Sequence, residues 1–135
     1  MVPYSEMIKD SERTVLKWKQ VILCLWVLSM VAISYASLFP RLDVPMDFWN
    51  ADKFYHFLAY GWLAILPPLC FEKHKTAVIA SLSMILLGIL LEICQYYIPG
   101  RLFSWYDVAA NSAGVIAGIF IGKGLRNRFP AWSSD

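Results

Sequence analysis

Charge is what this chain has least of: 16% of its 135 residues are Asp, Glu, Lys or Arg, against ~25% in a soluble domain. With 59% apolar residues and a mean hydropathy of +0.52, a water-soluble globule of this size would have too little polar surface to cover itself. The chain is therefore expected in a membrane. An excess of one sign is missing too. A net charge of +2 from dispersed basic residues excludes a nucleic-acid groove, and no nucleic-acid partner is expected. Cysteine is scarce: Cys24, Cys70 and Cys94 lie in apolar stretches, are odd in number and lack metal-ligand spacing. A disulfide framework is thereby excluded, and all three read as small buried hydrophobes. Internal repeats and low-complexity segments are absent, and the length suits one domain.

What is present is a set of long uncharged runs. A bilayer core of ~30 Å asks for about 20 mostly apolar residues in helical form. Residues 20–40 carry no charge and close on Pro40, which cannot continue a helix. Residues 54–71 are apolar except for His56, with Pro67-Pro68 expected to kink or end the helix near its far side. A third run, 77–98, contains Glu92 and Gln95 and stops at Pro99-Gly100, and a fourth covers 105–125. The sequence thus predicts an all-α, polytopic membrane protein with four transmembrane helices.

The first run is longer than the ~7 to 15 residues of a signal-peptide core and no convincing cleavage site follows it, so it reads as a retained anchor. Lys9, Arg13, Lys17, Lys19, Lys73, Lys75, Lys123, Arg126 and Arg128 fall on one side of the four runs; only Arg41, Lys53 and Arg101 fall on the other. Nine against three, all in short flanks, predicts both termini in the cytoplasm. The aromatics fit this frame, with Trp18 and Trp132 at one interface and Phe48, Trp49, Trp105 and Tyr106 at the other. The expected organisation is a polar cytoplasmic tail over 1–19, a membrane domain over 20–125 and a cytoplasmic tail over 126–135. Residues 41–51 suit an interfacial segment in the outer headgroup layer.

Threading the four helices places the polar residues at one depth. Asp52 and Lys53 open the second span, His56 follows Asp52 by one turn and Tyr60 by another, all on one face. Glu92 and Gln95 share a face of the third span, with Glu92 roughly 10 Å inward from its Pro99 end. Asp107 and Asn111 repeat the four-residue spacing on the fourth, and Arg101 and Ser104 sit in the hairpin that joins the two. A carboxylate within a span costs about 2.5 to 3.5 kcal/mol on insertion scales, so Glu92 is expected to face the bundle and to have a partner, with Lys53, His56 and Arg101 as candidates. Singly, each residue reads as a polar clip between helices. Together they exceed what helix association requires, because small residues do that job at lower cost. Such a device exists: Gly114, Gly118 and Gly122 recur every four residues on the fourth span. The stripe reads as helix packing and could also serve a homodimer. Ser29, Ser81 and Ser83 are expected to bond to their own helix backbones.

These residues carry a family resemblance. Asp52-Lys53-Phe54-Tyr55-His56-Phe57, Leu91-Glu92 with Gln95, Pro99-Gly100-Arg101, Ser104-Trp105-Tyr106-Asp107 and Ala110-Asn111-Ser112-Ala113-Gly114 resemble the VanZ-like family of bacterial membrane proteins, over residues 38–122. The resemblance implies a four-helix integral membrane fold and, for founding members, reduced susceptibility to the glycopeptide teicoplanin. The family is also similar to the proposed Lipocone superfamily, whose polar residues near one membrane face are inferred to act on lipid head groups. Fold-level likeness does not itself fix a reaction.

Two functions fit the residue types. In the first, an enzyme acts on a phosphate-containing lipid head group at the extracytoplasmic leaflet. Lys53 and Arg101 hold phosphate oxygens, and Gln95 and Asn111 hydrogen-bond the head group. His56 serves as general base or nucleophile, oriented by Asp52, Glu92 or Asp107. A divalent cation bridged by Glu92, Asp107 and His56 is a lesser variant, because carboxylate-rich sites suit hard metals but the spacing selects none. In the second, the same pocket binds a lipid-linked or glycopeptide ligand without chemistry. A proton-coupled transporter is disfavoured, since no inverted repeat is present and the ionisable residues stop in one half of the membrane.

Overall fold

The computed structural model describes residues 4–39 and 49–128, and every regular element in them is helical. Four helices run in sequence: α1 (Tyr4–Leu38), α2 (Trp49–Cys70), α3 (His74–Tyr96) and α4 (Trp105–Arg128). Among the described residues, α1, α3 and α4 are long and apolar enough to cross a membrane; α2 is not, by composition. Its first turns hold Asp52, Lys53 and His56, and it packs against all three other helices. Tyr60, Leu63, Ala64 and Leu66 of α2 form the core with Trp26, Met84, Val115 and Ile119. Although it opens on charged residues, α2 is the helix whose central residues its neighbours shield best.

Contacts fix the directions. Gly114, Gly118 and Gly122 meet Phe57, Gly61 and Ile65 in order, and Arg126 reaches Phe71 and Glu72, so α2 and α4 run parallel. Both are antiparallel to α3, which meets α2 through Ser81 and Ala64 and meets α4 through Gly88 and Asn111. A Cβ on Gly114 would overlap the Phe57 carbonyl oxygen, one on Gly118 that of Gly61, and one on Gly122 would lie 2.6 Å from that of Ile65. The glycine stripe is therefore what lets two helix backbones touch. The stripe thus does the helix-packing job expected of it, with α2 of the same chain covering this face.

Pro67 and Pro68 lie in the last turn of α2, which ends at Cys70, one residue short of the expected limit at residue 71. Two serines depart from expectation. Pro68 has no N–H for the Ala64 carbonyl, and Ser81 Oγ of α3 donates to that oxygen instead, at 3.0 Å. Ser29 likewise looks outward, accepting from Trp62 Nε1 at 3.1 Å, whereas Ser83 bonds Ala80 O of its own helix as expected. α1 is one helix from Tyr4, so the polar stretch ahead of residue 20 is helical and continuous with the first run, and α4 extends to Arg128, three residues past the end of the fourth run. The proposed interfacial segment lies outside the described residues except for 49–51, which open α2, and Trp132 also lies outside them.

Basic side chains fasten the far end of the bundle. Arg126, buried, donates to the carbonyls of Phe71 and Glu72 at the close of α2. Lys19 of α1, also buried, pairs with Glu72 at 3.5 Å. Sequence reading treats both only as topology charges. Near the other end, α3 stops at Tyr96, and Gly100 takes φ +80°, a left-handed turn that an L side chain would strain.

The contact between α2 and α4 is expected to fail under one methyl group. Gly118→Ala should lower stability by about 1–3 kcal/mol or more, the usual range for overpacking against atoms that cannot move aside. Gly124→Ala, on the same helix with open space around it, should be neutral or stabilising by up to about 1 kcal/mol. Thermal unfolding of the detergent-solubilised protein, followed by circular dichroism, separates the two.

Candidate functional site

Parallel packing brings the first turns of α2 and α4 side by side, and each begins with an acid, Asp52 and Asp107. Both carboxylates thus sit at the positive end of a helix, where negative charge is stabilised. Ser104 caps α4: its Oγ accepts the Asp107 N–H at 3.3 Å. In the usual reciprocal cap the acid three residues on returns to the N–H of the capping serine. Here that N–H goes to Glu92 Oε2 of α3, at 3.2 Å. Asp107 is released from the cap and turns to His56 of α2, its Oδ2 standing 4.0 Å from Nε2.

The other nitrogen of His56 is fixed. Nδ1 lies 3.0 Å from Asn111 Oδ1, one turn below Asp107 on α4. An amide oxygen can only accept, so Nδ1 carries the proton and donates it. Gly88 of α3 supplies the room: a Cβ there would lie 3.0 Å from both Asn111 Nδ2 and Tyr60 Cε1. Glu92 is buried and lies within Coulombic range of Asp107, His56 and Asp52. Asp52, His56, Glu92, Asp107 and Asn111 therefore form one cluster built from three helices.

A cavity of about 230 Å³ opens beside it, lined by Ser37 of α1, Asp52, His56 and Tyr60 of α2, Gln95 of α3, and Arg101 of the α3–α4 hairpin. Gln95 Nε2 donates to Ser37 O at 2.9 Å, and Arg101 donates to Phe39 O at 3.1 Å. Both tie the end of α1 to the site while facing the cavity. Lys53 stands apart from this lining, with its ammonium 5.8 Å from the Tyr106 ring centroid. Eight side chains were given a role in the site from the sequence. Seven meet at the cluster or the cavity wall, and Lys53 projects toward α4's aromatic edge.

With that geometry in hand, comparison with known proteins is informative. The sequence pattern of the VanZ/LLP1 family matches residues 3–126. The chain belongs to the VanZ/LLP1 family. Nothing among curated proteins and no solved structure matches it. The VanZ/LLP1 match begins ahead of α1, so the first helix belongs to the family pattern although its residues carry few recognisable motifs. Family membership and the three long apolar helices make this a VanZ-like membrane protein.

Sequence reading assigns the orientation of His56 to Asp52, Glu92 or Asp107 and gives Asn111 to the ligand. In the structure Asn111 holds the imidazole. The i, i+4 pairs on α2 and α4 were visible, but the parallel register that sets His56 against Asn111 follows only from the glycine contacts. The sequence reading places Ser104 only in the hairpin; its spacing of three from Asp107 is the signal that points to the cap, and nothing in the sequence marks its completion by Glu92.

Removing the amide should release the imidazole. In protein carrying ¹⁵N-labelled histidine, wild-type His56 is expected as a single Nδ1–H species, and Asn111→Ala as a mixture of tautomers. The second histidine, His74 at the start of α3, is expected to stay unchanged in both spectra.

Proposed function

We propose that this chain is a four-span membrane enzyme that acts on a phosphate-containing lipid head group at the extracytoplasmic face. The observation that carries this reading is the placement of His56: Nδ1 is committed to Asn111, and the ring borders a cavity that Arg101 also lines. An imidazole with one nitrogen pinned has the other available as a base. Arg101 offers a guanidinium to phosphate oxygens, and the paired N-termini of α2 and α4 favour anionic groups nearby.

In head-group transfer or hydrolysis, His56 Nε2 takes the proton of an attacking hydroxyl or water as that oxygen bonds to phosphorus. The same proton passes to the departing alcohol as its P–O bond breaks. Asp107 stabilises the imidazolium formed between the two steps. Glu92 holds the hairpin through Ser104, and Gln95 holds the end of α1, so both keep the cavity walls in place. Lys53, displaced toward Tyr106, serves the rim and not the reacting phosphate.

The basic-residue count supports cytoplasmic termini, which puts the cavity on the outer side. α2 then crosses the bilayer as the central helix, shielded by the other three. Any change in teicoplanin susceptibility is, in this reading, a consequence of altered envelope lipids.

Lipid mass spectrometry on cells expressing wild type, His56→Asn or Arg101→Ala tests the proposal. Wild type should change the head-group profile relative to empty vector. His56→Asn should lower that change by at least about 100-fold, the typical weight of a general base, while lipid still co-purifies with the protein. If wild type and empty vector give identical profiles with the protein confirmed in the membrane, the enzyme reading fails. Lipid retention that depends on Arg101 but not His56 would then point to a non-catalytic binder.

A further inference from the structure

We infer that Asp52, His56 and Asp107 form a binding site for one divalent cation. One ligand atom from each lies within 4.8 Å of the other two. Two ligands on one ion stand at most twice the metal–ligand distance apart, roughly 4.2 Å for Zn²⁺ and roughly 5 Å for Ca²⁺. A small inward rotation of the carboxylates therefore closes the site.

Two features beyond proximity point to an ion. His56 Nδ1 donates to Asn111 Oδ1, so a neutral ring directs the Nε2 lone pair at Asp107 Oδ2, 4.0 Å away. Two acceptors facing each other at that distance repel, and the gap is too long for a hydrogen bond even if the ring is charged. A cation between them satisfies both. The Asn111 bond is also the arrangement that metal-ligating histidines require, since a partner on the second ring nitrogen fixes the tautomer and aims the ligand. The second feature is Asp107 Oδ1. Asp107 is more than nine-tenths buried, and this oxygen has no hydrogen-bond partner among the described residues. A buried carboxylate oxygen left so is costly, and a metal ligand position accounts for it.

The ligand set differs from the one read from sequence. Asp52 completes the triad, and Glu92 is diverted to the Ser104 N–H. One imidazole and two carboxylates suit Mn²⁺ or Zn²⁺. The ion would offset the negative charge of Asp52, Asp107 and the nearby Glu92, which otherwise repels a phosphate entering the cavity. That role rests on the lipid-enzyme reading, and an ion on Nε2 takes the lone pair which that reading gives to His56 as base, so the ion-loaded and the base-active imidazole are alternative states of one site. The binding of the ion does not rest on that reading.

The test uses the full chain in detergent. Titration with Mn²⁺, with free ion followed by electron paramagnetic resonance, should saturate at one ion per chain, and Zn²⁺ should displace it. Asp107→Asn and Asp52→Asn should each weaken binding at least tenfold, while Asp10→Asn, on an exposed turn of α1, should not. A readout on unmutated protein guards against misfolded variants: Zn²⁺ should shift the ¹⁵N resonance of His56 Nε2 and leave His74 in place. No saturable binding below ~1 mM, or binding that leaves His56 unmoved, overturns the site. Tight binding at His56 in a protein that alters no lipid would uphold the metal site and remove the lipid reading. Lipid turnover at full rate after chelation, in protein that binds no Mn²⁺, would do the reverse.

Discussion

Two helix backbones in van der Waals contact set the rest of this molecule. Where α4 presents Gly114, Gly118 and Gly122, the carbonyls of Phe57, Gly61 and Ile65 fill the space that side chains would otherwise occupy. Such contact admits little sliding, because a shift of one residue would drive Val115 or Ile119 into the α2 backbone. The register is thus fixed, and with it the pairing of first turns. Asp52 is carried next to Asp107, and His56 next to Asn111. Helix dipoles then act in concert, since parallel neighbours present two positive ends to the same volume. An antiparallel pair with the same side chains would scatter them to opposite ends of the bundle.

Shielding follows from the same contact. α2 is the least apolar of the four helices by the measure of a membrane span, yet its central residues are the most completely buried. A helix with an acid, a histidine and two consecutive prolines needs the surrounding protein to satisfy its polar groups wherever water is excluded. Ser81 supplies the hydrogen bond to Ala64 O that Pro68 cannot, and Arg126 covers the carbonyls at the end. Each of these donors comes from a different neighbour. The price of carrying polar chemistry on α2 is therefore met by α3 and α4 together.

Much of this was legible in the chain itself. Runs free of charge locate four helices to within a few residues at most ends, because insertion into lipid leaves little freedom in length or composition. The i, i+4 pairs placed Asp52 with His56 and Asp107 with Asn111, since helical geometry dictates which residues share a face. Partners across helices were another matter. Periodicity says which face is polar but not which residue meets which, so Ser81 and Ser29 were read as bonding within their helices, and Lys53 as lining the pocket. Glu92 was recognised as needing a partner, but its partner is a backbone N–H, and backbone groups carry no signature in sequence. Pro99-Gly100 could be read as a stop; α3 ends before it, at Tyr96, and the positive φ of Gly100 serves the turn closed by Arg101 N and Ile98 O.

Glu92 shows how these levels depend on one another. A capped helix normally spends its first-turn acid on its own N-terminus. By taking the Ser104 N–H, Glu92 leaves α4 fully capped and sets Asp107 free to face His56. The exchange also ties α3 to the hairpin that presents Arg101 to the cavity. One buried carboxylate thus serves stability and site assembly at once. An exchange of this kind constrains chemistry: Glu92 cannot both hold the hairpin and take a proton from a substrate without releasing Ser104. His56 carries no such tie to the hairpin: its Nδ1 is held by the Asn111 amide oxygen, and its Nε2 faces Asp107, which the α4 cap leaves uncommitted.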